Sequence, residues 1–170
     1  IEVKLLKRDF VETQVDTLEE VIHFGVDHLV EKGEVDAPFI KDDSGLFVNG
    51  LNGFPGVYSS YVQRTVGNGG IIRLMEGMDD RRATFRTVIG LHIPGSGLSM
   101  FTGECHGNLT SEERGKQGFG YDPIFVPQGE DRTFAEMSVE EKNSISHRIM
   151  AIRRLVDFIS RDGSGPAREP

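Results

Sequence analysis

The sequence predicts an α/β fold with a mixed sheet. Three observations carry that expectation: helical and strand patterns alternate along the chain, one long hairpin is embedded among them, and an amphipathic helix closes the series. At 170 residues the chain fits one domain, or two small lobes around one cleft.

Ile1, Val3 and Leu5 alternate with polar neighbours, so residues 1–6 read as a strand. Thr17 precedes Leu18, Val21, Ile22, Gly25 and Leu29 on a helical period, and Glu20 completes a capping box with it. A helix over 17–32 ending near Gly33 follows. Pro38-Phe39-Ile40 reads as a short strand leading into Asp42-Asp43; Ser44-Gly45 has turn chemistry, and Leu46-Phe47-Val48 can resume a strand. The Gly/Asn/Pro run 49–56 is a loop, 57–65 a short helix, and Asn68 a cap for a further helix ending at Gly77. Residues 83–93 and 98–107 read as hairpin partners around the turn 94–97. A polar loop with a helical turn over 108–118, a strand over 124–126 and a helical turn over 138–142 come next. The last helix spans 146–161, with Ile149, Ile152, Leu155, Val156 and Ile159 on one face. The Gly/Ser/Pro/charged composition of 163–170 predicts a disordered tail, leaving 1–162 as a single domain.

A net charge of −8 argues against sequence-independent binding to nucleic acid, although cations clustered in a cleft can still hold a nucleotide. No apolar run approaches the roughly 20 residues that span a bilayer, so no membrane partner is expected. The single Cys105 excludes an intramolecular disulfide and fits a reducing, cytoplasmic compartment.

Two clusters carry chemistry. In the acidic one, Asp42 and Asp43 can hold a hard cation such as Mg²⁺, one of them can take a proton from water, and Ser44 adds a hydroxyl. The same Asp-Ser-Gly run is also ordinary surface-turn chemistry. In the second cluster, Gly118-Phe119-Gly120-Tyr121-Asp122-Pro123 offers backbone N–H groups and two aromatic faces to a planar ligand. As readily, it is a tight turn before a strand. Lys142 and Arg148 supply fixed cations, and His147 a switchable donor or acceptor. Ser144 and Ser146 are candidate caps that place His147 and Arg148 in the first turn of the last helix, where a cation is unfavourable without a partner. That partner is a ligand or a neighbouring Glu. Glu12 is a further acidic candidate in a polar stretch. No Walker pattern and no GxGxxG at a strand–helix junction is present.

In order along the chain, D42-D-S-G-L46, F54-P-G-V-Y-S59, G118-F-G-Y-D-P-I-F125, T133-F-A-E-M137, E141-K142 and S146-H-R148 resemble the inosine triphosphate pyrophosphatase family. The resemblance covers nearly the whole chain, to about Ile159. It implies an elongated mixed sheet with flanking helices, forming two lobes around a nucleotide-binding cleft. It implies Mg²⁺-dependent hydrolysis of ITP, dITP and XTP to monophosphate and pyrophosphate, which cleanses the nucleotide pool, by a homodimer. Carried over by position, Asp43 is the general base and a metal ligand, and Glu12 a second metal ligand. Ser44 contacts the triphosphate, and Phe119, Gly120, Tyr121 and Asp122 line the base pocket. Lys142, His147 and Arg148 bind the nucleotide, the last two at the purine 6-oxo edge.

Two departures accompany the resemblance. Family members begin with a strand and a Thr-Gly-Asn-x-x-Lys loop that grips phosphate, and nothing of that kind precedes the sequence's first residue, Ile1. Gly25 stands where a phosphate-binding Lys of the first helix is expected. The favoured expectation is a fragment of a longer enzyme. The alternative is a catalytically silent nucleotide-binding or scaffold protein.

Overall fold

The computed structural model describes residues 4–5, 14–33 and 35–162. Most of the strand expected over 1–6, the candidate ligand Glu12 and the tail 163–170 lie outside the described residues; Lys4 and Leu5 carry no regular structure. Helix α1 (Leu18–Glu31) starts at the expected capping box: Glu20 N donates to Thr17 Oγ1 at 3.2 Å, and Thr17 N to Glu20 Oε2 at 3.0 Å. The remaining elements are β1 (Phe39–Val48), β2 (Pro55–Gly56), α2 (Ser59–Thr65), α3 (Gly67–Leu74), β3 (Arg82–Ile93), β4 (Gly97–Leu109), β5 (Phe125–Pro127), α4 (Val139–Ile145) and α5 (His147–Asp162).

Helices and strands are interspersed along the chain, as the α/β reading expects. The strands form one sheet in the order β2-β1-β3-β4-β5. Each ladder among the described residues is antiparallel. The β3–β4 hairpin is its spine, and both flanking helices pack on it. On one face α1 buries Leu18, Ile22 and Val26 against Val88. On the other, α5 buries Ala151 and Leu155 against Ile89 and Leu91. Helix α5 lies almost in contact with the β4 backbone: a Cβ at Gly103 would come 2.4 Å from Ala151 N. The absent side chain thus sets the helix depth and brings His147 and Arg148 onto the sheet. A third apolar cluster joins Leu46, Phe85, Phe125 and Phe134 at the end of the sheet near β5.

The sequence reading differs from the structure at three places that bear on the site. The segment 42–45 is not a turn between two short strands. It lies inside the continuous ten-residue β1, with Asp42, Asp43 and Ser44 opposite Ile89, Val88 and Thr87. Backbone pairing with a long central strand overrides the turn preference of Asp, Ser and Gly. Asn68 is the second residue of α3 rather than its cap, and its buried amide reaches Glu113 Oε2 and the Gly120 carbonyl. Beyond β4 no helical turn forms over 110–118. The Arg81 guanidinium instead holds that exit, donating to the carbonyls of Leu109 and Thr110 at 2.8 and 2.6 Å.

Candidate functional site

A cleft of about 650 Å³ opens where β1, α2, the 118–122 loop and the α4–α5 junction meet. It collects the sequence-predicted residues from both clusters. β1 contributes Asp42, Asp43 and Ser44; the loop contributes Phe119 to Asp122; the helix junction contributes Lys142, His147 and Arg148. Only Glu12 cannot be placed, because it falls outside the described residues.

The two carboxylates reach the cleft from different faces of one strand. Side chains alternate along β1, so Asp42 and Ser44 project toward α5, and Asp43 toward α1. β2 pairs only with Leu46 and Phe47, so the edge of β1 before Leu46 has no ladder partner on that side among the described residues. Both faces can therefore address one ligand passing that edge. Asp43 is half-buried, and burial pushes its carboxyl above the ordinary Asp value. The Ser44 backbone N–H and the Lys41 charge oppose that rise. Among the described residues no group of three or more His, Cys, Asp or Glu could hold a metal ion. The Asp43 carboxylate, half-buried at this open edge, still suits a hard cation that completes its shell with phosphate oxygens and water.

On the opposite wall, the loop is held from below. At Gly118 φ is +75°, and a Cβ there would meet the Asp122 carboxylate at 2.1 Å, so only glycine fits. Asp122 is buried and accepts from Phe119 N at 2.8 Å and from Lys142 Nζ at 2.5 Å. The Gly120 carbonyl accepts from Gln63 Nε2 at 3.1 Å and Asn68 Nδ2 at 3.2 Å. Phe119 rides on this frame, 66% exposed, with the Lys142 ammonium 4.5 Å from its ring centre.

This geometry changes the parts assigned to two residues. Tyr121 borders the cleft but offers no stacking face: it is buried, its hydroxyl donates to the Ser59 carbonyl at 2.9 Å, and burial pushes that hydroxyl up to about 12. Lys142 is paired with Asp122, so it supports the loop before any ligand arrives.

His147 and Arg148 open α5. Ser146 is the cap, with Ile149 N 3.5 Å from its Oγ, while Ser144 lies within α4 and donates to the Glu141 carbonyl. The His147 ring stacks on Phe85, centroids 4.8 Å apart and planes 9° from parallel. Burial first, then the charges of Arg148 and Lys142, drive its imidazole down to about 3. The ring is therefore neutral at ordinary pH and does not switch there. Its Nδ1 is buried without a hydrogen-bond partner. The acidic neighbour of Arg148 is Asp42, whose Oδ2 lies 3.7 Å from Arg148 Nε; Arg148 Nη2 is also 3.4 Å from Ser44 Oγ.

Three contributors escaped the sequence reading. Gln63 and Asn68 hold Gly120, and Thr87 hydrogen-bonds Ser44 across the ladder at 2.7 Å. The Thr87 contact follows from the β1–β3 register, which a sequence alone does not supply. Gln63 and Asn68 act through contacts more than 50 residues distant, and no local pattern marks them.

Carboxylates at a strand edge, an anchored guanidinium and an exposed ring around one cleft define a protein suited to a phosphorylated ligand with a flat ring system. The chain belongs to the Ham1 family, whose model matches residues 1–158. A dITP/XTP pyrophosphatase of Pyrococcus horikoshii is 51% identical over 159 residues, covering 94% of this chain and 84% of that protein. A dITP/XTP pyrophosphatase of Methanopyrus kandleri is 48% identical over 165 residues, covering 97% and 87%. The solved Ham1 protein of Staphylococcus aureus superposes with a TM-score of 0.84 at 34% identity, covering 91% of this chain and 82% of that one.

Proposed function

We propose that this chain hydrolyses non-canonical purine nucleoside triphosphates (ITP, dITP and XTP), whose bases carry a 6-oxo group, to the monophosphate and pyrophosphate. The observation that carries the reading is one cleft bounded by half-buried Asp43 on β1, Arg148 at the start of α5 and exposed Phe119. The names of relatives near 50% identity support the same chemistry.

In this reading Phe119 stacks on the purine. Arg148 and His147 address its 6-oxo edge: the guanidinium donates, and the neutral imidazole donates from one nitrogen. Adenine would place its 6-amino donors against donors and leave buried polar groups unpaired, which is the stronger form of rejection. Ser44, held by Thr87, offers its hydroxyl to the phosphate chain. Asp43 accepts the proton of a water that attacks the α-phosphorus; the bond from that phosphorus to the bridging oxygen breaks, and pyrophosphate leaves. A raised carboxyl pKa suits a general base, because it brings the group nearer neutral pH. Asp43, with Glu12, would hold Mg²⁺. When bound, Mg²⁺ offsets the negative charge that builds on the phosphate oxygens. The same reading makes the domain two-lobed around the cleft, homodimeric and cytoplasmic. Among the described residues no helix is long and apolar enough to cross a membrane.

The test is product identity. Incubation with dITP should yield dIMP and pyrophosphate in equal amounts, and Asp43→Asn should lose that activity while unfolding at an unchanged temperature. Stepwise release of orthophosphate, or full activity in Asp43→Asn, would refute the proposed chemistry.

A further inference from the structure

Gly25 sits inside α1, about two turns from each end and with an ordinary helical backbone, where glycine is the least favourable residue after proline. Its missing side chain is explained by one neighbour. A Cβ at Gly25 would lie 2.1 Å from Lys41 Cε and 2.5 Å from its Cδ. The lysine stem therefore runs across the bare helix backbone, and its ammonium ends 3.2 Å from that same point. Lys41 is two residues before Asp43, so the two side chains share the α1 face of β1. Its charge acts on the Asp43 carboxyl. Lys41 also lies on the part of β1 that β2 leaves uncovered among the described residues.

A long flexible cation loses rotamer freedom when its stem is laid in a groove, and here the helix gives up its best residue to make that groove. The gain is a positive charge held at a fixed place beside the acidic centre. We propose that Lys41 is a substrate-binding residue whose ammonium contacts the polyphosphate chain while Asp43 serves the attacking water. Arg148 then grips the nucleotide from the α5 face, and Lys41 from the α1 face. This proposal rests on the triphosphate reading above.

The test uses inorganic triphosphate as a phosphate-only inhibitor of dITP hydrolysis by the folded chain, with inosine as a phosphate-free control. Lys41→Met keeps the stem and removes the charge. It should raise the inhibition constant for triphosphate and the KM for dITP at least tenfold, and leave inhibition by inosine unchanged. Lys41→Arg should recover most of the loss. Gly25→Ala keeps the charge but displaces the stem, so it should raise the triphosphate inhibition constant without lowering the unfolding temperature. Unchanged triphosphate inhibition in Lys41→Met, with wild-type turnover intact and Asp43→Asn inactive, would overturn the role of Lys41 and spare the function. Absence of pyrophosphate release from the wild type would overturn both.

Discussion

Lys142 on α4 donates to the buried Asp122 carboxylate across 2.5 Å. The pair ties the 118–122 loop to the helix junction, since Asp122 also accepts from Phe119 N. A cation expected to meet phosphate is thus committed to the floor beneath Phe119. Its removal should first be felt as lost stability. Breaking such a pair leaves a buried charge uncompensated, at a cost of about 3–5 kcal/mol. Lys142→Met should lower unfolding free energy in urea by that order, and adding Asp122→Asn should recover part of it. Equal stability of Lys142→Met and wild type would remove the pair from the frame.

The neutral imidazole of His147 makes stability depend on acid. Its folded value of about 3 lies below the ordinary 6.5. Between those values the unfolded chain binds a proton that the folded chain refuses, so stability falls as pH drops below about 6.5 and continues to fall toward 3. The slope approaches about 1.4 kcal/mol per pH unit from this group alone. His147→Gln should flatten that slope when urea midpoints at pH 7 and pH 5 are compared. A variant with the wild-type slope would place the acid sensitivity elsewhere.

Phe119 is the exposed ring of the cleft, so its loss should affect binding more than folding. Base stacking on an aromatic side chain is worth about 1–3 kcal/mol. Phe119→Ala should raise KM for dITP correspondingly, with unfolding free energy within about 0.5 kcal/mol of wild type. Steady-state kinetics with a parallel urea titration checks both halves. A purely destabilised variant with unchanged KM would show that the ring does not stack on substrate.

Arg148 should set base preference. Its guanidinium is anchored beside Asp42 and Ser44, which fixes the direction of its donors. Arg148→Ala should lower kcat/KM for dITP at least tenfold and narrow its margin over dATP. An equal proportional loss for both substrates would mean that Arg148 binds the nucleotide without reading the base.

Much of this was legible in the sequence, for identifiable reasons. The α1 capping box, the β3–β4 alternation and the α5 apolar stripe are local patterns, and the structure reproduces their elements within a residue or two. Both chemical clusters converge on one cleft. The roles within the clusters were harder to see. Asp42-Asp43-Ser44-Gly45 reads as a turn by composition, but it is a strand because β3 pairs along its whole length. Tyr121 and Phe119 look alike in Gly-Phe-Gly-Tyr, and only packing decides that Tyr121 is spent on Ser59 while Phe119 faces outward. The neutrality of His147 comes first from burial, with its ring stacked on Phe85, 62 positions earlier, and then from the charges of Arg148 and Lys142. Such long-range contacts leave no periodic trace.

The most direct measurement is pyrophosphate release from dITP, XTP and dATP, with and without Mg²⁺, by the folded chain. The expected result is Mg²⁺-dependent release from dITP and XTP, with release from dATP lower by at least a hundredfold. Release independent of Mg²⁺, equal release from dATP, or nucleotide binding without any turnover would contradict the account.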